Sequence, residues 1–400
     1  MASGVSVAHI ITKLELGGAQ QNTLFTVSHL DPSRFRSTLI TGEPGLLDEE
    51  ARALAGVEFH QIPSLCRPIR PWVDLRALLT LTKVLAGLKP VIVHTHSSKA
   101  GILGRLAARF AHVPIIIHSI HGFGFTPDQH PLVRRALMTM ERYAARFTNR
   151  FFAVSEANRR EGISLGIFPA EQCAVIRSGV DVGCIRRTTV DLPVKKRQLG
   201  LDSERPLIGM IAPFKPQKAP LDFIRMAAMV HREQPEAQFV LIGDGELRPA
   251  VEQEIRLRKL ELVVHLLGWR RDIPEILKCL DVFVLTSRWE GLPRVYVEAL
   301  ASGVPVVGTC VNGAPEIIRD GINGYLLDPG DVIGLADRVA FLLHQPDVAK
   351  RMGQNAQLVP PEFDIYEMVR QQEREYERLV AEWQGHRVGQ GRRRATAVHL

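Results

Sequence analysis

The chain has 400 residues, of which 46% are hydrophobic and 23% are charged, and its formal net charge is +7. This composition is typical of a folded globular protein and excludes the disordered and fibrous classes. The length favours two domains over a single hydrophobic core.

The charge is spread unevenly along the chain. Residues 1–200 contain 25 Lys and Arg against 15 Asp and Glu, whereas residues 201–400 contain 25 against 28. A basic first half indicates an anionic substrate or surface for that half, or else a charge that serves solubility alone. No nucleic-acid motif accompanies the basic residues, so a nucleic-acid partner is not expected.

Targeting signals and cysteines predict the compartment. The first residues, MASGVSVAHIITK, lack the basic segment and apolar stretch of a signal peptide. The apolar runs fall short of the ~18 residues that a membrane-spanning helix needs. The five cysteines show no zinc-type spacing, which favours free thiols in a reducing cytoplasm.

Short runs rich in Val and Ile alternate with amphipathic segments through most of the chain. In the first half these runs are VAHIIT, RSTLITG, VEFHQIP, VIVHTH, IIIHSIHG and RFFAVS. The rhythm restarts after residue 205 with PLIGMIAPF, QFVLIGDGE, VVHLLGW, VFVLTS and VPVVGT. Such runs between helices are typical of parallel strands that are buried on both faces. The sequence therefore predicts an α/β fold with two tandem doubly wound Rossmann-like domains that face each other across a cleft.

Changes in composition predict the domain boundaries. We expect a first domain over residues 1–185, a linker over 186–205 and a second domain over 206–365. Residues 366–385 read as a long charged helix that packs back toward the first domain. Residues 386–400 read as a disordered tail.

Three features of the first half could have a functional role, namely a pair of glycines, a set of histidines and an arginine-rich segment. Gly17 and Gly18, in KLELGGAQQN, follow the first strand and allow a ligand to approach the backbone closely. Two histidine pairs lie near the ends of two strands. They could bind zinc, or each histidine could act singly as a hydrogen-bonding group. The second interpretation is favoured, especially for His121. The members of the pairs are His94, His96, His118 and His121.

The segment PLVRRALMTMERYAARFTNR combines five arginines with apolar residues at helical spacing. It predicts either a helix that lies on an anionic membrane surface or a core helix with a basic solvent face.

In the second half, Lys215 and Lys218 follow the first strand, where a cation could neutralise a diphosphate. The stretch SRWEGLPRVYVEALASG places Glu290 in a loop and Glu298 in the second turn of a helix that starts near Pro293. The start of this helix can bind phosphate, and the carboxylates can accept hydrogen bonds from sugar hydroxyls. The alternative is that Glu290 only interacts favourably with the helix dipole and that Glu298 is a solvated surface residue.

Motifs along nearly the whole chain resemble those of the retaining nucleotide-sugar glycosyltransferases of family 4, which have the two-Rossmann GT-B architecture. The matching stretches are GGAQQ, HTHSSKAGILGRLAAR, IHGF, AVSE, IRSGVD, PQKAP, GWRRDIPEIL and EGLPRVYVEALASGVPVV. Two glutamates separated by seven residues, with these flanks, form the most specific of the motifs.

The resemblance implies a role for each matching residue. Glu298 is expected to hold the ribose diol of the donor, and Glu290 is expected to contact hydroxyls of the transferred sugar. Lys218 matches a phosphate-binding lysine, and His121 matches a histidine near the reacting centre. The residues expected beside the diphosphate are Gly17, Gly18, Gly291, Leu292, Pro293 and Arg294.

One departure from the family pattern affects this expectation. Ala212, Pro213 and Phe214 stand where the family usually has a Gly-Arg-Leu run, and proline cannot supply a phosphate-binding cation. Lys215 is the residue expected to meet that charge instead.

The function implied by the resemblance is transfer of a hexose from a UDP- or GDP-linked sugar to a glycan or lipid-linked acceptor in cell-envelope polysaccharide synthesis. No metal or other cofactor is expected to be essential. The protein is expected in the cytoplasm, with peripheral contact to an anionic membrane. Two alternatives remain, a metal-dependent hydrolase that uses the histidine pairs and a non-catalytic sugar-nucleotide-binding protein.

Overall fold

The computed structural model describes residues 4–125 and 129–397, with side chains as far as residue 385. Over these residues the chain forms two compact units, and each contains its own parallel sheet. The first unit comprises the residues up to Gly179 together with those from Ile365 onward, and the second comprises Val180–Asp364. The predicted α/β class with two Rossmann-like domains is confirmed.

The first unit is built on a parallel sheet with seven strands in the described residues. These strands are β1 (Val5–Ile11), β2 (Phe35–Thr41), β3 (Val57–Gln61), β4 (Ile92–His96), β5 (Ile115–Ile120), β6 (Arg150–Ala153) and β7 (Cys173–Val175). Their order across the sheet is β3-β2-β1-β4-β5-β6-β7. The order reverses between β1 and β4, and ligands of doubly wound sheets bind beside such a reversal.

Helices cover both faces of this sheet, which is why its strands are apolar on both sides. The helices are α1 (Gly18–His29), α2 (Asp48–Arg52), α3 (Pro71–Leu88), α4 (Ser98–Phe110), α5 (Pro131–Ala145) and α6 (Glu156–Ser164), with a 3-10 turn at Ala170–Gln172. On one face, Leu81 of α3 and Ala107 of α4 pack with Ala8, Ile10 and Val93 of the strands.

The second unit has a parallel sheet of six strands, counted over the same described residues. These are β8 (Leu207–Ile211), β9 (Gln238–Ile242), β10 (Val264–Gly268), β11 (Val282–Leu285), β12 (Val306–Thr309) and β13 (Gly324–Leu327). Their order is β10-β9-β8-β11-β12-β13, so the reversal lies between β8 and β11.

The helices of the second unit alternate with its strands, as a doubly wound sheet requires. They are α7 (Val182–Arg187), α8 (Leu192–Gln198), α9 (Pro220–Glu233), α10 (Arg248–Leu257), α11 (Ile273–Lys278), α12 (Arg294–Ala301), α13 (Val332–His344) and α14 (Pro346–Ala356). Short 3-10 turns occur at Pro216–Lys218, Ala314–Glu316 and Pro361–Phe363.

The last helix, α15 (Ile365–Ala397), belongs to the first unit. Met368, Val369 and Tyr376 of α15 are buried against Ile92 of β4 and Phe152 of β6. Burial of a side chain of this size is worth about 1.5–3 kcal/mol, so α15 contributes substantially to the core on this face of the sheet. Two ion pairs support the packing, Arg34 with Glu373 at 2.6 Å and Arg150 with Glu375 at 2.9 Å.

Two boundaries differ from the expected ones. Residues 186–205 are not a separate linker, because they belong to the second unit and contain the whole of α8. Lys195 explains this placement, since it is mostly buried and its Nζ pairs with Asp272 at 2.7 Å. The expected tail from residue 386 is helical as far as Ala397, because adding residues to a formed helix carries no new nucleation cost. Residues 398–400 lie outside the described residues.

The cysteines are free thiols, as expected. Among the described residues, no helix is both long and apolar enough to cross a membrane.

Candidate functional site

Two loops meet where the strand order of the second unit reverses. The loop after β8 carries Lys215 and Lys218, and the loop after β11 carries Glu290. Because β8 and β11 are paired and parallel, their carboxyl ends lie at the same edge of the sheet. The topology therefore brings together residues that lie 72 positions apart in the sequence.

Lys218 and Glu290 form an ion pair at this edge. The Nζ atom of Lys218 contacts Oε1 of Glu290, and the hydroxyl of Ser287 donates a hydrogen bond of 2.6 Å to the same oxygen. Glu290 is only 8% exposed, so its carboxylate is held in one place by a cation and a hydroxyl. A carboxylate fixed in this way can accept from sugar hydroxyls, and the lysine can neutralise a phosphate.

Hydrogen bonds from side chains to backbone carbonyls hold the two loops together. The hydroxyl of Thr286 donates to the carbonyls of Lys218 and Ala219, each at 2.9 Å, and Nε2 of Gln217 donates to the carbonyl of Trp289 at 2.9 Å. Ala219 lies in the left-handed region with φ 44°, a conformation that non-glycine residues adopt at an energetic cost. This left-handed conformation of Ala219 turns the chain from the 3-10 segment that contains Lys218 into α9.

The second half of the motif forms the start of α12. Gly291, Leu292 and Pro293 are buried, and the helix begins at Arg294, directly after Pro293, as predicted. Its first turn carries no acidic residue, and Pro293 offers no side chain to cap it. The first N–H groups and the positive end of the helix dipole therefore favour an anion beside Glu290.

Glu298 lies in the second turn of α12, as the motif predicted. Its carboxylate is 3.7 Å from Nη2 of Arg294, one turn earlier. Burial lowers the pKa of the Arg294 guanidinium below its usual range, although a nearby carboxylate acts in the opposite direction. Under α12, a Cβ added at Gly308 would lie 2.0 Å from the Tyr296 hydroxyl, so the small residue allows the helix to pack tightly on the sheet.

The GDGE loop has a structural reason for its glycines. Gly243 has φ 130°, and a Cβ there would lie 2.1 Å from the carbonyl oxygen of Ala212. A Cβ at Gly245 would lie 2.7 Å from the carbonyl oxygen of Phe214. The loop thus packs against the segment that contains Pro213, where the family usually has arginine.

In the first unit, the glycine loop leads into α1. Gly17 precedes the helix with extended backbone, and Gly18 is the first helical residue. A Cβ at Gly17 would meet only the side chain of Gln20, at 2.6 Å from its Oε1. The first turn of α1 also lacks an acidic residue, so its N–H groups suit an anion as well.

Histidines of three neighbouring strands form a connected group that ends at His121. His9 of β1 pairs in register with His94 of β4. Nδ1 of His9 is 3.1 Å from Nε2 of His96, and Nδ1 of His96 is 3.3 Å from Nε2 of His121. His94 lies between the hydroxyls of Tyr376 at 2.6 Å and Ser119 at 2.8 Å.

Burial keeps these histidines neutral. Desolvation lowers the pKa of His9 to about 3, and it lowers the pKa values of His94 and His96 well below their usual range. One ring nitrogen from each of these three residues lies within 4.8 Å of the other two, a spacing that could hold a metal ion. Their contacts with one another and with hydroxyl groups already use most of those nitrogens.

His118 does not join this group. Its Nδ1 is 2.9 Å from the hydroxyl of Thr95, and its ring lies against Gly101 of α4. Adjacent strand residues point to opposite faces, so Ser119 and His118 lie on different sides of the sheet. The two histidine pairs of the hydrolase alternative therefore do not converge on one point.

A small, partly open cavity of about 10 Å³, which is room for roughly one water molecule, lies beside His96 and His121 and is lined by residues of α1, α15 and the strand ends. Asn22 and Gln372 contribute polar side chains to its wall. The amide nitrogen and oxygen of Asn22 are buried and have no hydrogen-bond partner in the part of the chain that the structure describes. A water molecule in this cavity would satisfy that amide, because buried polar groups without partners are costly.

Sequence reasoning missed three side chains of this arrangement. Ser287 supports Glu290, His9 begins the histidine chain, and Tyr376 of α15 holds His94. A signal for His9 exists, since it is the one ionisable residue inside the apolar stretch VAHIIT. Tyr376 gave no local signal, because its partner His94 lies 282 residues earlier in the chain.

Family comparisons match both halves of the chain. The model of "Glycosyltransferase Family 4" matches residues 16–183, and that of "Glycosyl transferases group 1" matches residues 192–359. A UDP-Gal:alpha-D-GlcNAc-diphosphoundecaprenol alpha-1,3-galactosyltransferase of Escherichia coli is 34% identical over 82% of this chain and 86% of its own length. An N,N'-diacetylbacillosaminyl-diphospho-undecaprenol alpha-1,3-N-acetylgalactosaminyltransferase of Campylobacter jejuni is 27% identical over 78% and 83%.

Solved structures with the same fold include Anabaena Alr3699/HepE in complex with UDP and glucose. That structure has a TM-score of 0.80 and 22% identity, and the match covers 93% of this chain and 99% of that one. WaaG, a glycosyltransferase involved in lipopolysaccharide biosynthesis, has a TM-score of 0.76 and 14% identity over 90% and 97%. Both establish the GT-B fold. The two matched family models and the E. coli relative show that this chain is a glycosyltransferase and belongs to glycosyltransferase family 4.

Proposed function

We propose that this protein is a retaining hexosyltransferase that uses a nucleotide-diphosphate sugar, UDP- or GDP-linked, and extends a lipid-linked or glycan acceptor in cell-envelope polysaccharide synthesis. The E. coli relative, whose name specifies UDP-Gal and a diphosphoundecaprenol acceptor, supports both the donor class and the acceptor class. The Anabaena structure, which contains UDP and glucose, supports a uridine nucleotide over a guanosine one.

The ion pair between Lys218 and Glu290, beside the start of α12, carries this proposal. Departure of a nucleoside diphosphate concentrates negative charge on the leaving phosphates. Lys218 and the positive, N-terminal end of α12 are arranged to stabilise that charge. Glu290 then contacts hydroxyls of the transferred hexose, Glu298 holds the ribose, and His121 acts near the reacting carbon.

Catalysis in this proposal needs no resident metal ion, because cationic and dipolar groups of the protein meet the phosphate charge. Dialysis against a chelator is expected to leave the transfer rate unchanged. A loss of activity that zinc or magnesium restores would contradict this part of the proposal.

A transfer assay with purified protein tests the function. UDP- and GDP-hexoses are offered with a diphosphate-linked N-acetylhexosamine on a short lipid, and the product is analysed for its anomeric configuration by NMR. We expect one donor to yield a product that retains the donor's α configuration, and we expect Glu290→Gln to reduce the rate at least tenfold. Full activity in Glu290→Gln would favour a protein that binds sugar nucleotides without acting on them.

We also propose that the first unit binds an anionic membrane surface through α5. This helix buries Glu141, Ala144 and Ala145 but leaves Leu132 and Tyr143 exposed by 71% and 51%. Arg135 and Arg146 are exposed on the same side of the helix, at spacings of three residues from Leu132 and Tyr143. Apolar residues flanked by arginines favour the interface of a bilayer that contains acidic lipids.

Vesicle sedimentation tests this second proposal. We expect binding to vesicles of phosphatidylglycerol and phosphatidylethanolamine, and a large loss of binding in Arg135→Glu/Arg146→Glu. The exposed arginine Arg160 of α6, changed to Glu, serves as the control and is expected to bind normally. Equal binding by all three proteins would contradict a role for α5.

A further inference from the structure

The histidine chain that ends at His121 has two possible directions of hydrogen bonding. It contains two contacts, His9 Nδ1 with His96 Nε2 at 3.1 Å and His96 Nδ1 with His121 Nε2 at 3.3 Å. A neutral imidazole has one N–H donor and one acceptor nitrogen, so each contact has a single donor. The chain therefore donates either from His9 toward His121 or from His121 toward His9.

The buried end of the chain decides between the two directions. Nε2 of His9 is buried and has no hydrogen-bond partner among the described residues. If the chain donated toward His9, this nitrogen would carry an N–H that points into the core without an acceptor. Buried N–H groups without acceptors are rarer in proteins than acceptors without donors. His9 therefore carries its proton on Nδ1 and donates to His96.

The direction then passes along the chain. His96 accepts on Nε2, so its own proton lies on Nδ1 and is donated to Nε2 of His121. His121 in turn accepts on Nε2 and carries its proton on Nδ1. The two donating rings, His9 and His96, must be neutral for this pattern. Both are completely buried, and burial disfavours their charged forms.

We propose that His9 and His96 are positioning residues that hold His121 in the Nδ1–H tautomer. This inference rests on the proposed placement of His121 beside the donor sugar. It limits the part that His121 can take in the transfer, because a neutral ring that carries its proton on Nδ1 and accepts on Nε2 has no lone pair left to act as a base. His121 would accordingly stabilise charge on the donor and take no proton from the acceptor.

Nitrogen NMR on the full-length protein tests the tautomer directly. The protein is labelled with ¹⁵N-histidine, and long-range proton–nitrogen correlations are recorded at pH 7.5, with His121 assigned by the loss of its signals in His121→Gln. In wild-type protein we expect Nδ1 of His121 to be the protonated nitrogen. The wild-type spectrum decides the question even if a variant folds poorly.

The variant His96→Phe removes the donor to His121 and keeps an aromatic ring of similar size. A neutral histidine side chain without such a donor favours the Nε2–H tautomer, so the two nitrogen signals of His121 are expected to exchange identity. We expect kcat to fall by roughly tenfold to a hundredfold, with a smaller change in the KM for the donor.

Thr95→Val is the matched control. Thr95 lies between His94 and His96 on the same strand, is buried and contacts His118 on the other face of the sheet. Its replacement removes the hydroxyl contacts with the Ile117 carbonyl and with His118 and changes the shape of the side chain very little, and it is expected to leave the His121 tautomer and the kcat unchanged.

Two results would overturn the inference, namely an Nε2–H tautomer of His121 in wild-type protein or the same tautomer in wild type and His96→Phe. Full transfer activity in His121→Ala would instead contradict the proposed catalytic placement of His121. Since the spectrum needs no turnover, failure of the inference and failure of the proposed function are distinguishable.

Discussion

At the scale of single residues, Lys218 is the cation on which the proposed phosphate site depends most. Its side chain is mostly buried and contacts Glu290. We expect Lys218→Met to lower kcat by about a hundredfold, in line with the ~2.7–4 kcal/mol that one charge-stabilising group contributes to a transition state. Steady-state kinetics measures the effect. Lys350→Met, at an exposed lysine of α14, is the control and is expected to retain the wild-type kcat.

Glu298 is expected to affect donor binding more than catalysis. It lies in the second turn of α12, beyond the end that is proposed to bind phosphate, and it holds the ribose in the proposed complex. Glu298→Ala is expected to raise the KM for the donor about tenfold, equivalent to about 1.4 kcal/mol, with a kcat within about twofold of wild type. Glu261→Ala, at an exposed glutamate of the same unit, should change neither parameter. A hundredfold drop in kcat with an unchanged KM would contradict the ribose role.

Local motifs made much of this arrangement predictable. Glu290, Glu298 and the start of α12 lie within one short stretch, where the strand, the turn proline and the helix pattern are read directly. Lys218 was predictable as a loop residue after β8, but its contact with Glu290 depends on which strands are neighbours. His9 was missed for the same reason, because only the pairing of β1 with β4 brings it to His94 and His96.

At the scale of elements, α15 holds the histidine group from outside the sheet. The hydroxyl of Tyr376 is 2.6 Å from Nδ1 of His94, and the tyrosine is fully buried. Tyr376→Phe would leave that nitrogen without its partner, so we expect a loss of about 1–3 kcal/mol in the free energy of unfolding. Urea denaturation measures it. Tyr366→Phe removes the same group from a residue of α15 that is 44% exposed, and it is expected to cost less than about 0.5 kcal/mol.

For two segments, residues 186–205 and the residues after 385, the prediction from composition differs from the structure for the same reason. Residues 186–205 look polar and irregular, yet Lys195 is fixed by Asp272 of the second unit. The residues after 385 look like a tail, yet they continue a helix that is already nucleated by the packing of its first half. In both segments a tertiary contact outweighs a weak local preference, and composition does not report such contacts.

At the scale of the whole molecule, the buried histidines predict how stability depends on pH. Burial lowers the pKa of His9 to about 3, whereas the unfolded chain has a value of 6.5. Between these values the unfolded state binds a proton that the folded state does not, so stability is complete above pH 6.5 and falls as the pH is lowered toward 3. His94, His96 and His118 act in the same direction.

The size of this effect follows from linkage. Between pH 7.5 and pH 5.5, His9 alone is expected to reduce the free energy of unfolding by about 1 kcal/mol. Denaturant titrations at the two pH values measure the sum over all groups, and the same pair of titrations on His9→Phe should give a difference that is smaller by the contribution of His9. A stability that rises as the pH falls through this window would contradict neutral, buried histidines.

A nucleoside diphosphate is proposed to bind the second unit at Lys218, Glu290 and the start of α12. Isothermal titration of UDP, GDP and ADP into wild-type protein and Lys218→Met tests it most directly. We predict that UDP or GDP binds wild-type protein with a Kd between about 1 μM and 1 mM, and that Lys218→Met binds it at least about tenfold more weakly. Wild-type protein that binds none of the three nucleotides, or a variant that binds as tightly as wild type, would contradict the account.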